Sequence, residues 1–167
     1  MQRGYTRLRY LDRIERLRTL VPDIALSSDI IVGYPGETPR EFEESLLFLR
    51  EVEFDQLYSF IYSPRPQTGA ATEEDGVPMA EKEARLRELQ SLQQGIQRKK
   101  NRSLIGKEVE VLVDGLSRQG QLKGRTRTNR VVNFDGDPSW VGEFVSVRVE
   151  AAGPNSLEGH RIARVGS

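Results

Sequence analysis

At Gly106 the hydrophobic period of this 167-residue chain changes, and the two patterns on either side call for different folds. Before it, apolar residues recur at helical spacing between short β-branched runs. After it, they alternate with a period of two. From Tyr5 to Val21, the positions Tyr10, Leu11, Ile14, Leu17, Leu20 and Val21 mark a helix that Pro22 stops. Ile24 to Val32 then reads as a mostly buried strand, rich in β-branched residues. It runs into the turn-forming loop Gly33-Tyr34-Pro35-Gly36-Glu37-Thr38, in which Thr38 is a good N-cap. Pro39 suits the first helical position and Glu41 completes a capping box with Thr38. The helix that follows carries Phe42, Leu46, Leu49 and Val52 on one face, and Gln56 to Tyr62 forms a second strand.

Helix, strand, helix and strand with short connections make a βαβ unit preceded by a helix, so the two strands are expected to be parallel. Parallel strands normally have both faces covered, and two strands do not make a stable sheet. The neighbours they need must come from residues outside this chain or from another chain.

Thr72 to Val77 is a polar, acidic loop. A long helix is expected from about Ala80 to Arg102, with Leu86, Leu89, Leu92 and Ile96 as a narrow apolar stripe and a basic run, Arg98-Lys99-Lys100-Asn101-Arg102, at its end. Beyond Gly106, Glu108 to Val113 alternates as a half-buried strand and Asp114-Gly115 reads as a turn. Gly120–Gly124, Arg130–Phe134, Phe144–Val149 and Ser156–Val165 supply further short strands. Five such strands suggest a small barrel of the OB type.

Composition narrows the chemistry. The 25 basic residues balance 25 acidic ones, and the balance persists on both sides of Ser103 (16 against 17, then 9 against 8). Nucleic-acid affinity must therefore come from a local patch rather than net charge. The absence of cysteine rules out disulfides, thiolate metal sites and a cysteine nucleophile within these residues. The single histidine, His160, makes a histidine-based triad equally improbable. No apolar run approaches the roughly 20 residues needed to span a bilayer. The first residues carry no secretory h-region, so a cytoplasmic location is expected.

Three stretches carry candidate sites. The Gly33–Thr38 loop lies at the carboxyl end of a parallel strand, where α/β proteins bind ligands; its plain reading is a tight strand-to-helix turn. Asp29 is an acid in an apolar strand, expected either to be functional or to be neutralised by an arginine outside this chain. Arg65, held between Pro64 and Pro66, follows the second strand and suits a carboxylate or phosphate; a surface arginine on a rigid turn is the alternative. In the β region, Arg118, Lys123, Arg125, Arg127 and Arg130 run without an intervening acid, with Thr126, Thr128 and Asn129 among them. Such a stripe can neutralise several phosphates, though a solvated hairpin is the simpler reading. Phe134 and Trp140 offer rings for stacking, but core roles suit both better.

Three ordered motifs carry a resemblance. Arg3-Gly4-Tyr5-Thr6, then Ser28 to Thr38, then Tyr62-Ser63-Pro64-Arg65-Pro66-Gln67-Thr68 resemble the second half of the radical-SAM barrel of methylthiotransferases. The terminal region resembles a TRAM domain, most tellingly in Gly124 to Phe134, and is most similar to the MiaB-type tRNA methylthiotransferases. The resemblance implies a fold of α/β plus all-β type: half of a radical-SAM (β/α) barrel over 1–78, a linking helix over 79–103, and a five-stranded OB-like TRAM barrel over 104–167. It implies an enzyme that adds a methylthio group to C2 of an isopentenyl-adenosine beside the anticodon, using S-adenosylmethionine and two 4Fe-4S clusters. The cysteines that hold those clusters lie upstream in the family and are absent here, so the chain is expected to have no catalytic residue or metal ligand and to be inert alone. The resemblance assigns Asp29, Gly33 and Arg65 to the cofactor side. It assigns Arg125, Arg127 and Asn129, within the stripe that includes Arg118, Lys123 and Arg130, to the tRNA anticodon stem-loop. The expected partners are that RNA and the missing amino-terminal part of the enzyme, with no membrane. The alternatives are a stand-alone TRAM-type RNA-binding module, or a methylthiotransferase for another modified adenosine or a ribosomal protein.

Overall fold

A computed structural model describes residues 4–64 and 76–162, which divide into two compact units at Ile96/Gln97. Arg65 and most of the acidic Thr72–Val77 loop lie outside the described residues.

In the first unit, α1 (Arg7–Leu20) is capped by Thr6 and leads to β1 (Ser27–Val32). Thr38 and Glu41 form the expected reciprocal capping box at the start of α2 (Pro39–Val52), with Pro39 in its first turn. β2 (Gln56–Ile61) pairs with β1 in parallel, Asp29 opposite Tyr58 and Ile31 opposite Phe60. Phe42, Leu46, Leu49 and Val52 of α2 are all buried with Ile14, Val32, Phe54 and Leu89. The helical spacing of these residues builds the core.

The first strand is not the mostly buried one that its composition suggests. β1 begins at Ser27, three residues later than expected, and both strands alternate between covered and open positions. One face packs on the helices. The other leaves Asp29, Tyr58 (49% exposed) and Phe60 (54%) open to solvent. Asp29 is therefore not a buried carboxylate, and within the described residues it requires no neutralising arginine.

The helix α3 (Met79–Arg102) carries the expected stripe, with Leu86 and Leu92 packed against the core, but its inward face is wider. Leu89 and Ile96 are buried, but so are Lys82, Arg85 and Gln93. Their spacing of three to four residues puts polar groups on the inward face, so apolarity alone underestimates it.

The second unit is a closed barrel with strand order β3-β4-β5-β7-β6. These are β3 (Glu108–Leu116), β4 (Leu122–Thr126), β5 (Val131–Asp135), β6 (Phe144–Ala152) and β7 (Ser156–Arg161). Val111, Val113, Leu122, Val132, Phe134, Val145, Val147, Val149 and Leu157 fill it. Alternation assigns each of them inward, as the period of two requires. Asp114-Gly115 is not a turn: β3 continues through it with a register shift between Val113 and Gly115, and the reversal falls at Ser117–Gln121. A bulge bends the strand without ending it, which is how small barrels close. Gly124 faces Val113 where strands approach closely; a Cβ there would strike the Leu112 carbonyl oxygen and the Val111 side chain.

Candidate nucleic-acid interface

The basic stripe falls on β4, the β4–β5 hairpin and the start of β5. Thr126 donates its N–H to the Arg130 carbonyl, and Asn129 donates to the Thr126 carbonyl at 2.9 Å. Asn129 adopts the left-handed conformation (φ 61°), which asparagine tolerates better than most residues. Thr126 and Thr128 hydroxyls meet at 3.1 Å, and Thr126 Oγ1 also accepts from the Arg130 N–H. The threonines thus fix the hairpin internally rather than offering free donors.

Arg125 is held at both ends of its guanidinium. Nη1 donates to Asn129 Oδ1 at 2.9 Å, and Nε lies 3.3 Å from Asp114 Oδ2. Lys123 Nζ stands 3.8 Å from the other oxygen of the same carboxylate. The stripe that is free of acids in sequence therefore acquires one in space, because β3 carries Asp114 alongside β4. These groups are one-third to one-half exposed, so each pair contributes at most about 1 kcal/mol of stability. Their effect is to set the direction of Arg125, whose planar fork loses little further freedom on meeting a phosphate.

The remaining basic residues divide. Arg118, in the Ser117–Gln121 reversal, and Arg127, at the hairpin tip, are exposed. Arg130 is half-buried and turns inward to Asn101 Oδ1. Asn101 is itself buried and donates to the Gly153 carbonyl at 2.9 Å. Arg130 therefore ties the barrel to the end of α3. Phe134 is fully buried in the core, and Trp140 packs against that core with the Arg161 guanidinium 4.1 Å above its ring. Phe134 therefore has no exposed face, and one face of the Trp140 ring is covered by Arg161.

In the first unit, Gly33 sits at φ +68°, and a side chain there would collide with the Lys82 methylenes. Its N–H donates to Glu37 Oε2 at 2.7 Å, and Arg85 Nη1 donates to the same oxygen at 2.7 Å and to the Glu37 carbonyl at 3.0 Å. Burial pulls the Arg85 guanidinium pKa down, but hydrogen bonds to and the charges of Glu37 and Glu81 outweigh it and hold the pKa above its ordinary value. The loop is thus pinned by its own carboxylate and by α3. Thr38 donates from both its N–H (2.8 Å) and its hydroxyl (2.7 Å) to Glu41, which holds that carboxyl below its ordinary pKa. Sequence reading missed Glu37, Lys82 and Arg85. The only signal was three charged residues at positions that would prove to be inward.

Among the described residues no group of three or more His, Cys, Asp and Glu is arranged to hold a metal ion, and no helix is long and apolar enough to cross a membrane.

The closed five-stranded barrel with its basic hairpin is a small OB-like β-module, and residues 102–162 match the TRAM domain family. Over 97% of its length the chain is 48% identical to a tRNA-2-methylthio-N(6)-dimethylallyladenosine synthase of Alkalilimnicola ehrlichii, covering 37% of that protein. It is 49% identical to the enzymes of the same name from Syntrophotalea carbinolica (97% of this chain, 37% of that one) and Myxococcus xanthus (98% and 36%). The chain matches, almost end to end, the carboxy-terminal part of a MiaB-type tRNA methylthiotransferase, while spanning little more than a third of the length of these relatives.

Proposed function

We propose that the chain is the RNA-gripping portion of an enzyme that methylthiolates C2 of isopentenyl-adenosine next to the tRNA anticodon. The observation that supports this most is that nearly the whole chain matches just over a third of synthases of that name, with a barrel whose hairpin holds an oriented arginine. Arg118, Lys123, Arg125 and Arg127 would meet the phosphates of the anticodon stem-loop, while Asn129 and Arg130 hold the hairpin in shape. Two parallel strands with an open face fit half of a (β/α) barrel, to be completed by residues outside this chain, with the long helix joining it to the TRAM domain.

The 4Fe-4S clusters of this enzyme class do not fit here, since the chain has no thiolate to ligate iron. Cluster chemistry would be supplied from elsewhere in the full enzyme. S-adenosylmethionine fits in part. Asp29 presents its carboxylate on the open sheet face, opposite Tyr58, and can accept from a ligand hydroxyl or ammonium. Gly33 serves by keeping the loop close to Lys82 rather than by its N–H, which Glu37 already occupies. Arg65 is assigned to the same side by motif alone. A cytoplasmic location follows from tRNA as substrate.

Fluorescence anisotropy with an anticodon stem-loop tests this reading. Affinity should fall steeply with salt, the slope dropping by roughly one when a single phosphate contact is removed by Arg125→Gln. Binding that ignores salt would refute it. The chain alone, given S-adenosylmethionine and reductant, should leave isopentenyl-adenosine unmodified.

A further inference from the structure

The outer face of the barrel carries an aromatic that neither the core nor the basic hairpin accounts for. Phe144 opens β6 with its ring outward and 58% of its surface exposed. Opposite it in the ladder is Leu112 of β3, 39% exposed, and opposite Leu112 on its other side is Arg125 of β4. Directly opposed residues on adjacent strands stand about 4.5–5.5 Å apart, so the three form one row across three strands. The core does not require Phe144, because Val145, Val147 and Val149 of the same strand already fill the inside.

We infer that Phe144 and Leu112 form a platform on which an unpaired RNA base stacks, with its sugar-phosphate directed toward Arg125 and Lys123. This rests on the RNA reading above and extends the surface from the hairpin onto β3 and β6, beyond the face OB barrels commonly use. The charges around the row set the polarity. Glu110 lies two residues from Leu112 on the same outer face, opposite Ser146, and repels a phosphate on that side. Arg125, across the ladder from Leu112 and fixed by Asp114 and Asn129, attracts one toward β4. A base has a π-face for the ring and an anionic backbone for the guanidinium, and stacking is tolerant of base identity. A protein partner would call for a wider apolar patch than one ring and one leucine beside cations.

The test is anisotropy with the whole chain and two labelled probes of about a dozen units each, the length range such barrels cover. One is an oligoadenylate; the other is an abasic ribose-phosphate oligomer with the same charge. The chain should prefer the oligoadenylate, and Phe144→Ala should weaken it roughly 5- to 150-fold while leaving abasic binding and salt slope unchanged. Phe144→Trp should retain the preference, which separates stacking from a folding defect. Salt-sensitive binding with equal affinity for both probes, or no loss in Phe144→Ala, would overturn the platform and leave the RNA reading standing. Absence of salt-sensitive binding to either probe would overturn both.

Discussion

Replacing Arg85 by alanine should uncouple the Gly33–Thr38 loop from α3. The guanidinium is 5% exposed and the Glu37 side chain 13%, so the pair is largely out of water. Removing the arginine deletes two charge-assisted hydrogen bonds to Glu37, each worth about 1.5–3 kcal/mol net. The Glu37 carboxylate is then left with only the Gly33 N–H and Arg85's former space. Glu81, with 48% of its side chain exposed, adds no more than about 1 kcal/mol. Breaking a buried pair from one side costs about 3–5 kcal/mol, less than the summed bonds because water partly refills the gap. For a unit of this size that lowers the midpoint by roughly 12 °C or more. Urea and thermal unfolding followed by circular dichroism measure it. Arg85→Met, which keeps most of the volume, should lose nearly as much, and adding Glu37→Gln should recover part of that loss by removing the stranded charge. A loss below about 1 kcal/mol in Arg85→Ala, or a double variant no more stable than Arg85→Met, would refute the argument.

The open sheet face should make the chain self-associate: Tyr58→Lys with Phe60→Ser should shift sedimentation toward monomer, and a wild-type chain that stays monomeric at high concentration would contradict an incomplete barrel. Asn129→Gly should fold as well as the parent, since glycine accepts φ 61° without strain, yet bind the stem-loop several-fold more weakly because Arg125 loses its second anchor. The lowered pKa of Glu41 means that its capping contribution is fully present above the unfolded carboxyl pKa and is lost as pH falls through the folded one. An acid titration of helicity should therefore show a component that Glu41→Gln removes.

The α2 core face, the Thr38–Glu41 box and the alternation of the barrel strands were legible from spacing, because local periodicity and capping chemistry are properties of a few adjacent residues. The candidate RNA-binding hairpin was legible as a basic run, but its electrostatics were not. Asp114 neutralises part of it from a neighbouring strand, and the bulge that places it there looks like a turn in sequence. Asp29, the Gly33 loop and Arg65 stood out by their places in and after the two strands, but a cofactor role for them came only from motif resemblance, and Arg65 lies beyond the described residues.

Sequence by itself determined that this chain has two regimes, which apolar residues of α2 and of the barrel strands turn inward, and that no thiolate chemistry is possible within it. Tertiary structure decided which charges meet. It turned Arg130 inward to Asn101, set Arg125 between Asp114 and Asn129, buried Arg85 against Glu37, and left Asp29 and Phe144 facing outward. Those outcomes depend on strand register and on contacts between residues far apart in the chain, and a one-residue shift of register exchanges the faces of a strand.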